Sequence, residues 1–161
     1  MKIFSSLSEF IDSKIKVDAF VPTMGNLHNG HLHLVKLAKK TANNTCVSIY
    51  VNESQFTDKK DFDLYPKTLD EDIKKLENIS VDYLLIPGKQ DIEKNSEAFN
   101  PNIEPKILTN DLCGKYRQGH FLGVMDIVHR FLQIIKPNIV ILGEKDYQQI
   151  LVIKELIKIC N

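Results

Sequence analysis

Charge of one sign is missing from this chain: 21 Lys and Arg stand against 21 Asp and Glu, so the formal net charge is zero. The basic footprint of a dedicated nucleic-acid binder is therefore absent, and nucleic acid is not expected as a partner. A local phosphate site needs only a few positive groups and remains open. Cysteine is scarce. Cys46, Cys113 and Cys160 are widely spaced, odd in number and form no CxxC pair, which argues against a disulfide framework and suits a reduced cytoplasm. In its apolar setting Cys46 is expected to fill a core position. Long hydrophobic runs are also wanting. Met1-Lys2-Ile3-Phe4-Ser5-Ser6 has no apolar stretch of signal-peptide type, and no segment approaches transmembrane length, so no membrane partner is expected. No internal repeat, low-complexity linker or GxGxxG dinucleotide signature occurs.

What is present suffices for one domain. A chain of 161 residues with 43% hydrophobic content can bury roughly 70% of its unfolded surface. Ser5 or Ser6 is placed to cap a short helix, with Glu9 as capping-box partner. Val17–Pro22 reads as a strand. From Gly30 the period changes, and Leu32, Leu34, Val35 and Leu37-Ala38 form an apolar helical face with Lys36, Lys39 and Lys40 in water. Thr45–Val51 and Val81–Ile86 are further strands, separated by a helix over Leu69–Leu76 with Asp70, Glu71 and Asp72 at its favourable end. Lys89 to Pro105 is weakly patterned and reads as a surface excursion, and Ile107-Leu108 as a short strand. Phe121–Ile135 reads as a buried helix, weakened by Gly123. Asn138–Gly143 is a strand before a final helix that runs to the last residue. Alternating strands and helices predict an α/β/α sandwich around a mainly parallel sheet.

Two segments carry chemistry. The first is Pro22-Thr23-Met24-Gly25-Asn26-Leu27-His28-Asn29-Gly30-His31, where a strand passes into a helix. Such a junction offers backbone N–H groups and a positive helix end to a phosphate. His28 and His31 can share a face there and donate hydrogen bonds to a phosphate; the plainer account is a pair of polar cap residues. His33 points away from that pair. The second segment is Gly143-Glu144-Lys145-Asp146, again after a strand. Lys145 can offset phosphate charge, and Asp146 can orient it or cap the last helix. Gln149 lies one turn on. Asn52 and Gln55 sit beyond the strand at 45–51, with a solvated turn as the alternative. Arg117 and His120 flank a polar turn suited to an anion. Asp61, Asp63, Asp70 and Asp72 are expected to be surface carboxylates, while Tyr50, Phe56, Phe121 and Phe131 are core or pocket-wall aromatics.

Together these blocks resemble the amino-terminal domain of the pantothenate synthetase (pantoate–β-alanine ligase) family. The resemblance rests on residues 22–31, Val51–Phe56, Asp61–Pro66, Leu112–Gly114, Arg117–Phe121 and Gly143–Gln149, in family order. It implies a Rossmann-like HUP-type fold and ATP-dependent ligation of D-pantoate and β-alanine through pantoyl adenylate, with Mg2+ accompanying the triphosphate. It implies ATP contacts along Met24, Gly25, Asn26, Leu27, His28, Asn29, Gly30 and His31, and along Gly143, Glu144, Lys145 and Asp146. His31, His28 and Lys145 take the catalytic roles, and Gln55, Gln149 and Asn52 the substrate contacts; no metal ligand is assigned. A homodimer is implied. Glu53, Gln118 and Asp126 depart from the family's usual proline, proline and threonine. The family's smaller lid domain, with its Ser-Ser-Arg motif, finds no match here, so residues 1–161 are expected to form the ATP/pantoate-binding domain alone. An HxGH nucleotidyltransferase and a non-catalytic nucleotide- or pantoate-binding module are the competing expectations.

Overall fold

Side-chain alternation along the strands decides how the layers form. In a computed structural model that describes residues 1–160, β1 (Lys2–Phe4) is followed by α1 (Leu7–Asp12), β2 (Ala19–Thr23), α2 (Asn29–Thr41) and β3 (Thr45–Ile49). Then come α3 (Lys59–Asp63), α4 (Leu69–Asn78), β4 (Tyr83–Leu85), α5 (Lys89–Asn95), α6 (Lys106–Thr109) and α7 (Cys113–Tyr116). The chain continues with α8 (His120–Ile135), β5 (Ile139–Val140) and α9 (Tyr147–Cys160). Single 3-10 turns occupy Glu53–Gln55, Pro101–Ile103 and Glu144–Asp146.

Ala19 and Val21 of β2, Val47 of β3 and Leu84 of β4 face one side and bury against Val35 and Ala38 of α2 and Leu76 of α4. Phe20, Cys46 and Leu85 face the other side, against α1, α5, α8 and α9. Neighbouring strand residues thus go to opposite layers, as a period of two requires. Both sheet faces are covered, which is why these strands read as apolar runs.

The five strands are ordered β1-β4-β3-β2-β5, and every pair is parallel. From β2 the chain winds one way, through β3 to β4, and then returns across the sheet to place β5 on the other side of β2. The crevice beyond the carboxyl ends of β2 and β5 is therefore a topological switch point, the usual ligand position in open α/β sheets.

Several expectations are corrected. Residues Ile107-Leu108 belong to the one-turn helix α6, not a strand; Ile107 is 88% exposed and the Leu108 N–H donates to Pro105 O at 2.8 Å. The stretch 89–105 does run along the surface, but it contains α5 and buries Ile92 and Phe99 in the core. The short edge strand β1 escaped notice, since only its pairing with β4 defines it. Asp72 is no surface carboxylate but is fully buried, whereas Asp61, Asp63 and Asp70 are exposed. The expected strands at 17–22 and 138–143 are shorter, Ala19–Thr23 and Ile139–Val140. The final helix is described to Cys160, and the expectation for Asn161 lies outside the described residues. No described helix is long and apolar enough to cross a membrane.

Candidate functional site

At the start of α2 the two histidines form a reciprocal cap. His28 Nδ1 accepts from the Gly30 N–H at 3.0 Å, and the His28 N–H donates to His31 Nδ1 at 3.4 Å. The polar-cap reading and the phosphate-site reading are thus compatible. With both Nδ1 atoms accepting, each neutral ring carries its proton on Nε2 and keeps that donor for a ligand. The rings lie 4.1 Å apart at 35°. Burial, then the neighbouring His28, lowers the His31 pKa from its ordinary value of 6.5. Lys145 lowers it further, while Asp72 and Asp146 raise it. At pH 7 His31 is accordingly a neutral hydrogen-bond donor at the positive end of a helix.

His31 opens onto a cavity of about 170 Å³ beyond the carboxyl ends of β2 and β3. Six of the predicted site residues line it: Met24, His31, Asn52, Gln55, Asp146 and Gln149. Its apolar wall comes from α8, through Val124, Ile127, Val128 and Phe131. A pocket with one apolar wall and convergent amides, an imidazole and a carboxylate suits a small acid held beside a phosphate.

The remaining predicted residues surround this cavity. Gly25, Asn26 and Leu27 form the loop from β2 to α2, with Gly25 and Leu27 buried. His28, Asn29 and Gly30 form the exposed first turn of the helix. Gly143 leads from β5 into the turn carrying Glu144, Lys145 and Asp146, all three exposed at the rim. His31 thus stands between the start of α2 and the 144–146 turn, whose Lys145 and Asp146 both act on its charge.

Asn52 is buried and has a bracing task. Its Nδ2 donates to Gly123 O of α8 at 3.0 Å, and its Oδ1 accepts from Ser54 Oγ at 2.9 Å. His120 Nδ1 meets Gln55 O at 2.7 Å, so Gln55 is held from two sides. A second recess of about 470 Å³ shares Met24, Gln55 and Tyr65 with neighbours Asp61, Arg117 and His120. The departures stand elsewhere. Glu53 lies 4.0 Å from Lys89, and Asp126 pairs with Arg130 at 2.9 Å, both in a recess on the far side of Asn52. Neither carboxylate lines the His31 cavity, and Gln118 is exposed.

Three contributors went unnoticed in the sequence. Thr23 Oγ1 donates to Ser48 O at 2.7 Å and accepts from the Gly25 N–H at 3.2 Å, fixing the exit of β2. Ser48 lines the cavity with a buried hydroxyl that has no partner among the described residues. Asp72 reaches the 25–27 loop from α4. Ser48 O lies 25 residues from Thr23 and the Asn26 and Leu27 amides lie 46 and 45 residues from Asp72, so no local signal marks these contacts.

Among the described residues no three His, Cys, Asp or Glu side chains gather as a metal cage. Asp146 is the carboxylate at the cavity. One such carboxylate oxygen is a donor that Mg2+ carried on phosphate oxygens and water would accept.

A parallel α/β sheet with paired histidines at its switch point defines a Rossmann-like domain of the HUP type. Comparison with known proteins narrows this class. Residues 2–161 match the family Pantoate-beta-alanine ligase, and the chain belongs to that family. Pantothenate synthetase of Neisseria meningitidis serogroup A is 50% identical over 143 residues, 89% of this chain and 51% of that protein. The enzyme of Francisella tularensis subsp. tularensis is 45% identical over 159 residues, 98% of this chain and 60% of that protein. A crystal structure of the Francisella tularensis ligase complexed with β,γ-ATP and β-alanine superposes with a TM-score of 0.89 at 42% identity, over 98% of this chain and 62% of that one. Pantothenate synthetase from Thermus thermophilus gives a TM-score of 0.89 at 35% identity, over 98% of this chain and 57% of that one. The chain thus spans between half and two thirds of the relatives it matches.

Proposed function

We propose that these residues form the ATP- and pantoate-binding domain of a pantoate–β-alanine ligase. The observation that carries this reading is one cavity gathering His31, Gln55, Asp146 and Gln149 against the apolar wall of α8. In the first step the D-pantoate carboxylate attacks the α-phosphorus of ATP; the bond to the β-phosphate breaks, and pyrophosphate leaves from pantoyl adenylate. In the second the neutral amine of β-alanine attacks the acyl carbon, AMP leaves, and the amine loses a proton. Gln55 and Gln149 hold the pantoate hydroxyl and carboxylate groups, and α8 receives its methyl groups. His31 and His28 donate Nε2–H bonds to phosphate oxygens, and Lys145 neutralises charge at the rim. Orientation and electrostatic stabilisation supply the rate, and no covalent protein nucleophile is needed. Mg2+ bound to the nucleotide would neutralise phosphate charge, and Asp146, which lines the cavity, would be available to hold it.

The free state of all three cysteines supports a cytoplasmic setting, and family membership supports a homodimer, which sedimentation would test. For the reaction, the purified chain is incubated with ATP, Mg2+ and D-pantoate, and pyrophosphate is measured before and after β-alanine is added. Pyrophosphate with pantoate alone, then AMP and pantothenate with β-alanine, is the expected result. A folded chain that binds ATP and pantoate yet releases no pyrophosphate would overturn catalytic sufficiency and leave a binding module.

A further inference from the structure

We infer that Asp72 is a positioning residue for the nucleotide loop: from α4 it holds Asn26 and Leu27 in the backbone geometry that sets His28 and His31. This inference rests on the nucleotide reading of the site above. Asp72 is fully buried, and its two oxygens are both committed to that loop. Oδ2 accepts from the Asn26 N–H at 2.8 Å, and Oδ1 accepts from the Leu27 N–H at 2.8 Å. Thr68 Oγ1 donates to Oδ2 at 3.1 Å, which fixes the carboxylate in turn. Lys75, one helical turn on, donates to Leu27 O at 2.8 Å and lies 3.6 Å from Oδ1. One helix therefore grips the loop by two amides and a carbonyl. The grip answers a conformational problem, because Gly25 and Asn26 both have positive φ, +79° and +50°. Glycine takes this region freely and asparagine tolerates it, so several loop conformations compete and the carboxylate selects this one. A side chain at position 25 would meet Asp72 Oδ2 and Ile49 at 3.2 Å, so the carboxylate sits hard against the loop it holds.

Neither a ligand contact nor surface charge accounts for this carboxylate. It lines neither of the cavities that hold the predicted substrate residues, so it acts through the loop and not on a ligand. Displacing that loop moves the start of α2, and with it both imidazoles. A misplacement of about 1 Å at a reacting group costs on the order of 10²-fold.

The test compares three variants of the full 161-residue chain. Asp72→Asn keeps the shape but turns an amide donor toward one backbone N–H. Lys75→Met removes the second limb. Leu76→Ala, on the same helix and fully buried, loosens the core it shares with Leu27 but removes no hydrogen bond to the loop. Binding of a non-hydrolysable ATP analogue is measured by calorimetry, and amide exchange at Asn26 and Leu27 by NMR. Asp72→Asn is expected to weaken analogue binding by about 10- to 100-fold and to abolish protection at both amides. Lys75→Met follows more weakly, while Leu76→Ala lowers the melting temperature but keeps affinity within about twofold. Equal losses in Asp72→Asn and Leu76→Ala, or protection retained in Asp72→Asn, overturn the inference. If the wild-type chain binds no analogue, the nucleotide reading fails; the exchange comparison alone then decides whether Asp72 holds the loop.

Discussion

Gly123→Ala should damage the substrate pocket from a position that lies inside a helix. A β-carbon built at Gly123 would lie 2.3 Å from Ser54 O, 2.6 Å from Ser54 C and 3.0 Å from Gln55 N. These are backbone atoms, so no side chain can swing aside, and ordinary contact requires a retreat of about 1 Å. The retreat strains the bond from Asn52 Nδ2 to Gly123 O, 3.0 Å long in the native protein, worth about 1 kcal/mol. Overpacking adds about 1–3 kcal/mol. Against these stands the gain from replacing glycine by alanine in a helix, about 1 kcal/mol. The clash wins. A net loss of about 2 kcal/mol lowers the melting temperature by roughly 4–8 °C for a chain of this length. The same shift moves Gln55 relative to Gln149, and losing one hydrogen bond to a charged ligand group weakens pantoate binding by about tenfold or more. Thermal unfolding followed by calorimetric titration with D-pantoate reads both effects. Gly88→Ala is the control, since a β-carbon there would meet nothing within 4 Å and its φ of −83° suits alanine. A Gly123→Ala protein with the wild-type melting temperature and an affinity within about twofold would refute the close approach of α8 to the 53–55 turn.

Lys145→Met should leave stability within about 0.5 kcal/mol because the side chain is exposed. It should weaken ATP-analogue binding about tenfold, with a smaller deficit at high salt; calorimetry at two ionic strengths checks this. Ser48→Ala removes a buried hydroxyl without a described partner, so thermal unfolding should show no loss of stability and up to about 1 kcal/mol of gain. His31 titrates below 6.5 in the folded chain, so the unfolded chain takes up that proton first on acidification. The contribution of His31 to stability therefore rises with pH from its folded midpoint to about 6.5 and is flat above. Urea unfolding across this window should show a shallower pH slope for His31→Gln than for the wild type; equal slopes would refute the burial argument.

What was legible in the sequence is what local spacing encodes. The interval from His28 to His31 is one helical turn, so their shared face and their place after a strand could be read directly. The apolar runs of β2, β3 and β4 were visible for the same reason, being buried on both faces. Asp72 was illegible because Asp70, Glu71 and Asp72 together look like a solvated run at a helix start, and the amides it serves lie 46 and 45 residues away. Gly123 was read as a weakness in α8, and the reason for it sits on another element. The strand expected at 107–108 failed because two apolar residues have no period, and Pro105 starts a helical turn there instead.

The meeting of the two phosphate segments depends on strand order, which neither segment contains. His31 follows β2 and Lys145 follows β5, more than a hundred positions apart in the chain. They converge because β5 pairs with β2 on the side that β3 leaves open, with Ala19 opposite Ile139 and Phe20 opposite Val140. The pairing is short, and Val140 of β5 packs into the same core as Phe20 of β2 and Phe131 of α8, whose ring centroids are 5.6 Å apart. The same helix packs on β2, walls the cavity with Val124, Ile127, Val128 and Phe131, and presses on the 53–55 turn through Gly123. Cavity wall and sheet packing belong to one helix, so a substitution that tilts α8 should perturb the cavity and the 53–55 turn together, while one in α4 should reach the site only through the 25–27 loop.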